Sequence, residues 1–396
     1  MTFNQYCSMR LASVLLCALI LIGCCGCQFA ADPNGIIASA DAFDEPLPTP
    51  ESLGLTEKSL KNHHYHQLTA EEQLLYVAIL NAWSNGQSSL TVNNVDYYLL
   101  EEHVSRVTAA VYADHPECYR YTQDLKIRGT LRNGTNDDTV VITWTTMSFE
   151  ETLSEEEIKL EAAISEIVSM ALAYDDEYER VKAVHDYLVN AITYDEAAAK
   201  SNHKKNVIRN SAYSALVKNY AVCGGYSRAF QLILNRLEIP CTTASGMSGK
   251  EPHAWSLVLL DGEYYLFDVT WDDSGEKLSY RYFAITTAEL EKTHTFDNDF
   301  TYPTCTATAC NYYVKEGFLI ETYSIEEAER VISAQNTGAA SASMKFTSKA
   351  EYDRAVEDII THQNWDKLTA FRDAHKIVYT PDETNWILTI HFPSDS

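Results

Sequence analysis

The sequence predicts an α+β fold whose core is a helix packed on an antiparallel sheet. Apolar residues recur at helical spacing over residues 226–237, directly after two glycines. Two apolar, aromatic-rich runs follow at 253–260 and 263–271, and the Asp261-Gly262 pair between them is typical of a tight hairpin turn. A helix followed by a hairpin favours this layered arrangement.

A module of helices and strands is predicted in front of this core. Apolar spacing predicts two or three helices between 68 and 113, and β-branched runs predict strands between 119 and 146 with a turn at 133–134. Helices at 155–174 and 178–190 then lead into the core.

A small α+β unit is predicted at the C-terminal end. Helical spacing covers 324–335 and 348–363, and strand patterns cover 377–379 and 386–390. The run of small residues at 337–343 indicates a linker, which makes this end of the chain a separate unit.

These patterns divide the chain of 396 residues into five parts. In chain order they are a lipoprotein signal peptide at 1–23, a flexible tether at 24–58, the helical and strand module at 59–175, the core at 176–320 and the C-terminal unit at 321–396.

The N-terminal sequence predicts export. Arg10 precedes an apolar run over 11–22, which is short for a membrane span and has the length of a signal-peptide core. The run ends at Gly23-Cys24 in a sequence similar to a bacterial lipobox, which implies that Cys24 is lipidated and anchors the protein to the outside of the cell membrane. A non-lipidated secretory signal or an uncleaved short anchor is the alternative.

Charge and cysteine content narrow the function classes. The formal net charge of −26 argues against nucleic acid, because its phosphates would be repelled. Five cysteines lie beyond the predicted signal peptide and tether: Cys118, Cys223, Cys241, Cys305 and Cys310. If Cys305 pairs with Cys310, and Cys118 and Cys241 are buried or paired, Cys223 is left as the free thiol, although the sequence establishes no bridge.

Three residues of the core carry candidate chemistry. Cys223 stands at the start of the predicted helix, where backbone amides favour a thiolate and can hold an oxyanion. A two-residue hairpin turn makes His253 and Asp268 diagonal neighbours on one face, so that the carboxylate can orient the imidazole. A three-residue turn would instead place them on opposite faces.

Each of these residues also has an ordinary structural explanation. A cysteine before an apolar helix is often a small buried hydrophobe, a histidine beside Ala-Trp is often a strand residue, and an aspartate before Val-Thr-Trp often caps a turn. Their occurrence together, in a helix followed by a hairpin, favours the catalytic interpretation.

The stretch from about residue 178 to 282 resembles the core of the bacterial transglutaminase-like superfamily, within the wider group of papain-like cysteine enzymes. The segments that carry this resemblance are 179–188, 192–195, 211–216, 222–227, 253–255 and 267–273. The resemblance implies a papain/transglutaminase-like core with Cys223 as nucleophile, His253 as base and Asp268 as orienting acid.

Four neighbouring residues are expected to contact substrate: Gly224, Gly225, Trp255 and Ser256. The glycines leave room for a substrate backbone to approach. Two of the four depart from the family pattern, since similar proteins often have asparagine where Ser256 stands and a polar residue where Gly224 stands.

The sequence therefore predicts a thiol-dependent enzyme, without a cofactor, that transfers the acyl group of an amide bond in a peptide, protein or cell-wall substrate. Water as acceptor makes it a peptidase or deamidase, with a slight preference for hydrolysis, and a primary amine makes it a transglutaminase. One alternative is a noncatalytic surface module that binds peptide or glycan. Another is a Zn²⁺ site built from the same cysteine, histidine and aspartate.

A group of histidines near the N-terminus could also ligate a metal. His63, His64 and His66 lie in a polar segment beside the predicted tether. This setting favours a solvated histidine cluster, so no metal site is expected there.

Overall fold

The structure is a computed structural model that describes residues 40–130, 138–149, 152–201, 204–273, 278–372 and 374–392. The predicted signal peptide, the lipidation site at Cys24 and the turn at 133–134 lie outside these residues. Across the described ranges, none of the helices has the length and apolar character needed to cross a bilayer.

The chain forms two compact units. The first holds the described parts of Met1–Gly262, Asp268–Leu278 and Thr295–Pro303, and the second holds those of Glu263–Phe267, Ser279–His294 and Thr304–Ser396. These units divide the chain differently from the parts 59–175, 176–320 and 321–396, whose boundaries stay a prediction.

The first unit begins with a module of two long helices and one sheet. The helices are α1 (Ala70–Ser84) and α2 (Tyr97–Asp114), and the antiparallel sheet has the order β1 (Ser89–Val95), β3 (Asp138–Thr146), β2 (Tyr121–Thr130). The predicted strands are confirmed. Strand β1 was not predicted, because only Val92 and Val95 of its seven residues are fully buried and its alternation is weak.

The described part of the predicted tether packs against this module. Ala42, Phe43 and Leu55 are buried in the apolar core of the first unit, and Phe43 forms an isolated bridge with Val92 of β1. The prediction of a flexible tether over 24–58 is therefore wrong for this stretch, because a few apolar residues are enough to anchor an otherwise polar segment.

The predicted core follows within the same unit. Its elements are α3 (Leu153–Ala171), α4 (Glu177–Ala191), β4 (Thr193–Tyr194), α5 (Glu196–Ala199), α6 (Lys204–Arg209), α7 (Ala212–Lys218), β5 (Tyr220–Ala221), α8 (Cys223–Arg236), β6 (Cys241–Ser248) and β7 (Glu251–Leu260). Strands β6 and β7 pair antiparallel, with Cys241 opposite Val258, and α8 packs against both. The predicted helix on an antiparallel sheet is confirmed.

A two-residue turn ends β7. Asp261 and Gly262 both have positive φ, 51° and 82°, as the turn predicted for a tight hairpin requires. The next strand, β8 (Glu263–Phe267), begins directly after it, and Asp268 then caps the one-turn helix α9 (Val269–Asp272). A short strand, β9 (His294–Phe296), occurs later in the chain.

The second unit contains a four-stranded sheet with helices. Its remaining elements are α10 (Thr287–Leu290), α11 (Tyr312–Lys315), β10 (Leu319–Ile320), α12 (Ile325–Gln335), β11 (Ser341–Phe346), α13 (Lys349–Ala355), β12 (Val378–Asp382) and β13 (Ile387–His391). The strand order is β10-β11-β13-β12, with β10 and β11 parallel.

The linker predicted at 337–343 is wrong in its second half. Ser341 begins β11, a central strand of this sheet. Ala342, Met344 and Phe346 are all buried there. The small residues at the start of this strand conceal it in sequence, because strands are usually marked by β-branched and aromatic residues.

Candidate active site

Cys223 is the first residue of α8. Val222 before it has extended backbone and forms no side-chain cap, so the helix begins with its N-terminal amides next to the thiol. Cys223 is a free thiol and is partly exposed. The free backbone amides at a helix N-terminus and the positive end of the helix dipole stabilise both a thiolate and an oxyanion formed beside it.

The other cysteines of the described chain are buried, namely Cys118, Cys241, Cys305 and Cys310. Burial raises the pKa of Cys305 to about 11 and raises the pKa of the Cys241 thiol above its usual range. Cys223 thus differs from them in exposure and in its place at a helix terminus.

The two glycines after Cys223 are required by packing. A Cβ on Gly225 would lie 2.4 Å from the carbonyl oxygen of Arg209 and 2.7 Å from the Cβ of Ala221. A Cβ on Gly224 would lie 2.2 Å from Oδ1 of Asn210. Both glycines therefore let the start of α8 press against the segment before α7, and a contact with substrate stays a prediction for them.

His253 and Asp268 form a hydrogen-bonded pair beside this helix. His253 lies on β7, and its Nε2 is 2.8 Å from Oδ2 of Asp268. The other oxygen of Asp268 accepts a hydrogen bond from the backbone N–H of Trp271 at 3.0 Å, so the same carboxylate caps α9 and holds the imidazole. Asp268 is fully buried and His253 is 9% exposed. The closeness predicted from the two-residue turn is present.

The charge of Asp268 sets the ionisation of His253. Burial alone would lower the pKa of this imidazole, but the adjacent Asp268 carboxylate, assisted by Cys223, raises it from 6.5 to about 10. A hydrogen bond that the protonated ring donates to the sulfur of Cys223 also contributes to this shift, which brings thiol, imidazole and carboxylate into one network. The ring is an imidazolium at neutral pH.

Trp255 and Ser256 follow His253 on β7 and lie on opposite faces of that strand. Trp255 is fully buried, its ring lies 6.2 Å from that of His253, and its edge contacts Phe296. Ser256 is also buried and points to the opposite face, because side chains alternate along a strand. Substrate contact stays a prediction for both residues, and their burial gives each a packing role.

Two aromatic residues beside Cys223 and His253 were not singled out from the sequence. Trp271 is 38% exposed and its ring centroid lies 6.0 Å from that of His253. Burial, followed by the negative charges of Cys223, Glu196 and Asp268, raises the pKa of Tyr194 to about 12, so its phenol is neutral next to the thiol. The segment 192–195 resembled the family, which was the available indication for Tyr194.

The N-terminal histidines His63 and His64 form hydrogen bonds with separate partners. His64 is buried and its Nδ1 lies 2.7 Å from Oδ1 of Asp114, whereas Nε2 of His63 lies 2.8 Å from the carbonyl oxygen of Thr301. The interpretation as a solvated cluster is wrong for His64, because a buried carboxylate compensates its polarity.

The comparisons with known proteins agree with this core. Residues 168–269 match the sequence profile of the transglutaminase-like superfamily. The kyphoscoliosis peptidases of Mus musculus and Homo sapiens are 27% and 28% identical over 132 and 129 residues, which are 30% and 29% of this chain and 19% of each relative. The chain thus spans about a fifth of the length of these curated relatives.

A solved structure described as a TGase is 20% identical to this chain, with a TM-score of 0.30. The match covers 39% of this chain and 46% of the chain in that structure. With its helix on an antiparallel sheet and the matching profile, the chain contains a transglutaminase-like core.

Proposed function

We propose that this transglutaminase-like core makes the protein a thiol-dependent acyl-transfer enzyme that acts on amide bonds of peptides or proteins. One observation carries the proposal. The partly exposed thiol of Cys223, at a helix N-terminus, interacts with an imidazole that is bonded to the buried carboxylate of Asp268. This arrangement supplies a nucleophile, an acid-base group and a group that orients it.

In the first half-reaction, Sγ of Cys223 attacks the carbonyl carbon of the amide. The oxygen becomes an oxyanion, which the backbone N–H of Cys223 at the start of α8 can stabilise. The carbon–nitrogen bond then breaks, His253 gives its proton to the departing nitrogen, and the acyl group stays on sulfur as a thioester.

In the second half-reaction, an acceptor attacks the thioester. Neutral His253 takes a proton from the acceptor, and the Cys223 thiolate leaves. Water as acceptor gives a peptidase or deamidase, and a primary amine gives a transglutaminase. We favour water, because the relatives that match part of this chain are named peptidases.

The proposal is tested by alkylation and turnover. Iodoacetamide at about pH 6.5 should modify Cys223 before the other cysteines, as read by peptide mass mapping, because stabilised thiolate is the reactive form. The same preparations are assayed for peptide cleavage, ammonia release and incorporation of dansylcadaverine, with Cys223→Ala as the inactive variant and Cys241→Ala as the matched control.

Equal alkylation of Cys118 and Cys223 in folded protein would contradict the proposal. An inactive parent whose biological role survives Cys223→Ala would favour a noncatalytic module that binds peptide or glycan.

We also propose that the protein is held outside the cell membrane by lipid on Cys24, on the basis of the apolar run before it and the lipobox-like sequence at its end. Cys24→Ser should release the protein from the membrane fraction, because acyl chains would supply most of its membrane affinity. The neighbouring Cys25→Ser is the control and should leave it bound. Retention of Cys24→Ser would favour an uncleaved apolar segment.

A further inference from the structure

A second histidine–carboxylate pair lies behind the reaction centre. His185 of α4 is fully buried, and its Nε2 lies 3.1 Å from Oδ2 of Asp272, the last residue of α9. Its Nδ1 lies 3.0 Å from Oδ1 of Asp186. The buried ring therefore has a carboxylate oxygen at each of its nitrogens.

This geometry determines the charge of His185. A carboxylate oxygen accepts hydrogen bonds, so both ring nitrogens must donate and the ring must be an imidazolium. Burial opposes that charge, but hydrogen bonds to Asp186 and Asp272 overcome it and raise the pKa of His185. The charged groups that face the ring are Asp186 on α4, which is also bonded to Lys182 at 2.9 Å, and Asp272 on α9.

Helix α9 joins this pair to the reaction centre. It contains a single turn, with Asp268 as its N-cap and Asp272 at its other end, and the backbone N–H of Asp272 donates to the carbonyl of Asp268 at 3.1 Å. One turn cannot hold itself in place, because helix nucleation is unfavourable. Side-chain bonds to neighbouring elements must therefore fix where Asp268 points.

Two such bonds come from helices of the same unit. His185 holds Asp272, and the hydroxyl of Tyr226, three residues after Cys223, donates to Asp273 at 2.5 Å. His185 is the charged member of this set. It neutralises a fully buried carboxylate that would otherwise repel Asp268 from four residues away.

We propose that His185 is a positioning residue that holds Asp268 against His253 through Asp272. The inference rests on the proposed function, because it assigns His185 a task in that reaction centre. Without its tie, α9 shifts, the hydrogen bond between Asp268 and His253 lengthens, and the imidazole loses part of the charge stabilisation that the reaction needs.

The test uses the full chain and two readouts. The first is titration of the His253 ring by NMR with ¹³C-labelled histidine, and the second is kcat and KM on an amide substrate. His185→Gln should lower the pH at which His253 titrates by about one unit or more, and should lower kcat about tenfold or more with little change in KM. His64→Gln is the matched control, because it breaks another buried histidine–aspartate pair in the same unit.

A folded His185→Gln variant with the His253 titration and kcat of the parent would overturn the inference. Equal changes in His64→Gln would overturn it too, because general loosening would then explain the result. If His185→Gln does not fold, Asp272→Asn is measured by the same two readouts, since it leaves no buried carboxylate uncompensated on α9. A lower titration pH of His253 and a lower kcat would support the inference, and parent values of both would overturn it.

The NMR readout needs no turnover. An inactive parent whose His253 titration still falls in His185→Gln would refute the proposed function and keep the inference. An active parent whose His253 titration is unchanged in His185→Gln would keep the proposed function and refute the inference.

Discussion

Replacing Asp268 by asparagine removes one charge and keeps most of the local geometry. An asparagine oxygen can still accept from the backbone N–H of Trp271, so the cap of α9 is retained. What is lost is the carboxylate that keeps His253 charged. Burial then acts against the imidazolium without this carboxylate to oppose it, and the pKa of His253 should fall from about 10 to the region of 6.5 or below.

The size of the effect follows from that difference. The gap between about 10 and 6.5 corresponds to roughly 5 kcal/mol in favour of the charged ring. With a pKa near 6.5, the charged fraction at pH 8 falls roughly 30-fold. Loss of orientation adds to this, and we expect kcat to fall by roughly 10²–10⁴.

The assay is the rate of Cys223 alkylation as a function of pH, with turnover measured in parallel. The parent should show a limb near pH 10 where His253 loses its proton, and Asp268→Asn should move this limb toward 6.5. Asp114→Asn, in the buried pair with His64, is the control and should leave the limb in place. An unmoved limb in folded Asp268→Asn would refute the assignment of Asp268 as the partner that charges His253.

The same substitution has a signature in stability. The folded-state pKa of His253 is raised, so its contribution to the free energy of unfolding is complete below about pH 6.5 and is lost as pH rises through about 10. Asp268→Asn should therefore destabilise the fold more at pH 6 than at pH 10.5, as measured by urea unfolding at both values. An equal loss at both would mean that Asp268 acts only as a neutral cap.

Two further predictions concern the start of α8 and the pairing of nucleophile and base. Cys223→Ala and His253→Ala should each remove acyl transfer almost completely, and the double variant should be little worse than either single variant. The measurement is kcat/KM of all three variants. Additive losses in the double variant would mean that the nucleophile and the base do not act as one unit. Gly225→Ala should lower the free energy of unfolding by about 1–3 kcal/mol, and by more than Gly224→Ala does. The reason is that the new methyl group at 225 meets the rigid carbonyl of Arg209, whereas the one at 224 meets mobile side chains. A larger loss for Gly224→Ala in urea unfolding would contradict this packing argument.

The positions of Cys223, His253 and Asp268 could be predicted from residues close to them in sequence. Asp261 and Gly262 define a two-residue turn, and its strict geometry makes His253 and Asp268 neighbours before any tertiary contact is considered. The glycine pair and the apolar spacing after it likewise placed Cys223 at the start of a helix. These features depend on residues close in sequence, where turn and helix rules apply directly.

Features that depend on distant packing could not be predicted in the same way. His185 and Asp272 are 87 residues apart, and no local pattern joins them. The burial of Ser256 follows from the face of β7 that meets α8, which the register of a single hairpin does not reveal. Strand β11 was not predicted because its serine and alanine residues have a low local preference for strands, so that its place in the sheet depends on packing with distant residues.

The raised pKa of His253 determines which proton transfer each half-reaction of the proposed mechanism needs. Because the ring is already charged at neutral pH, it enters the first half-reaction as an acid, and its proton is available for the departing amine. Once that proton is given, the neutral ring is a stronger base than an ordinary histidine, which suits it to take a proton from water. Both properties come from the buried Asp268, so one carboxylate serves acylation and deacylation alike. Loss of its charge should therefore slow both half-reactions, whichever acceptor completes the second.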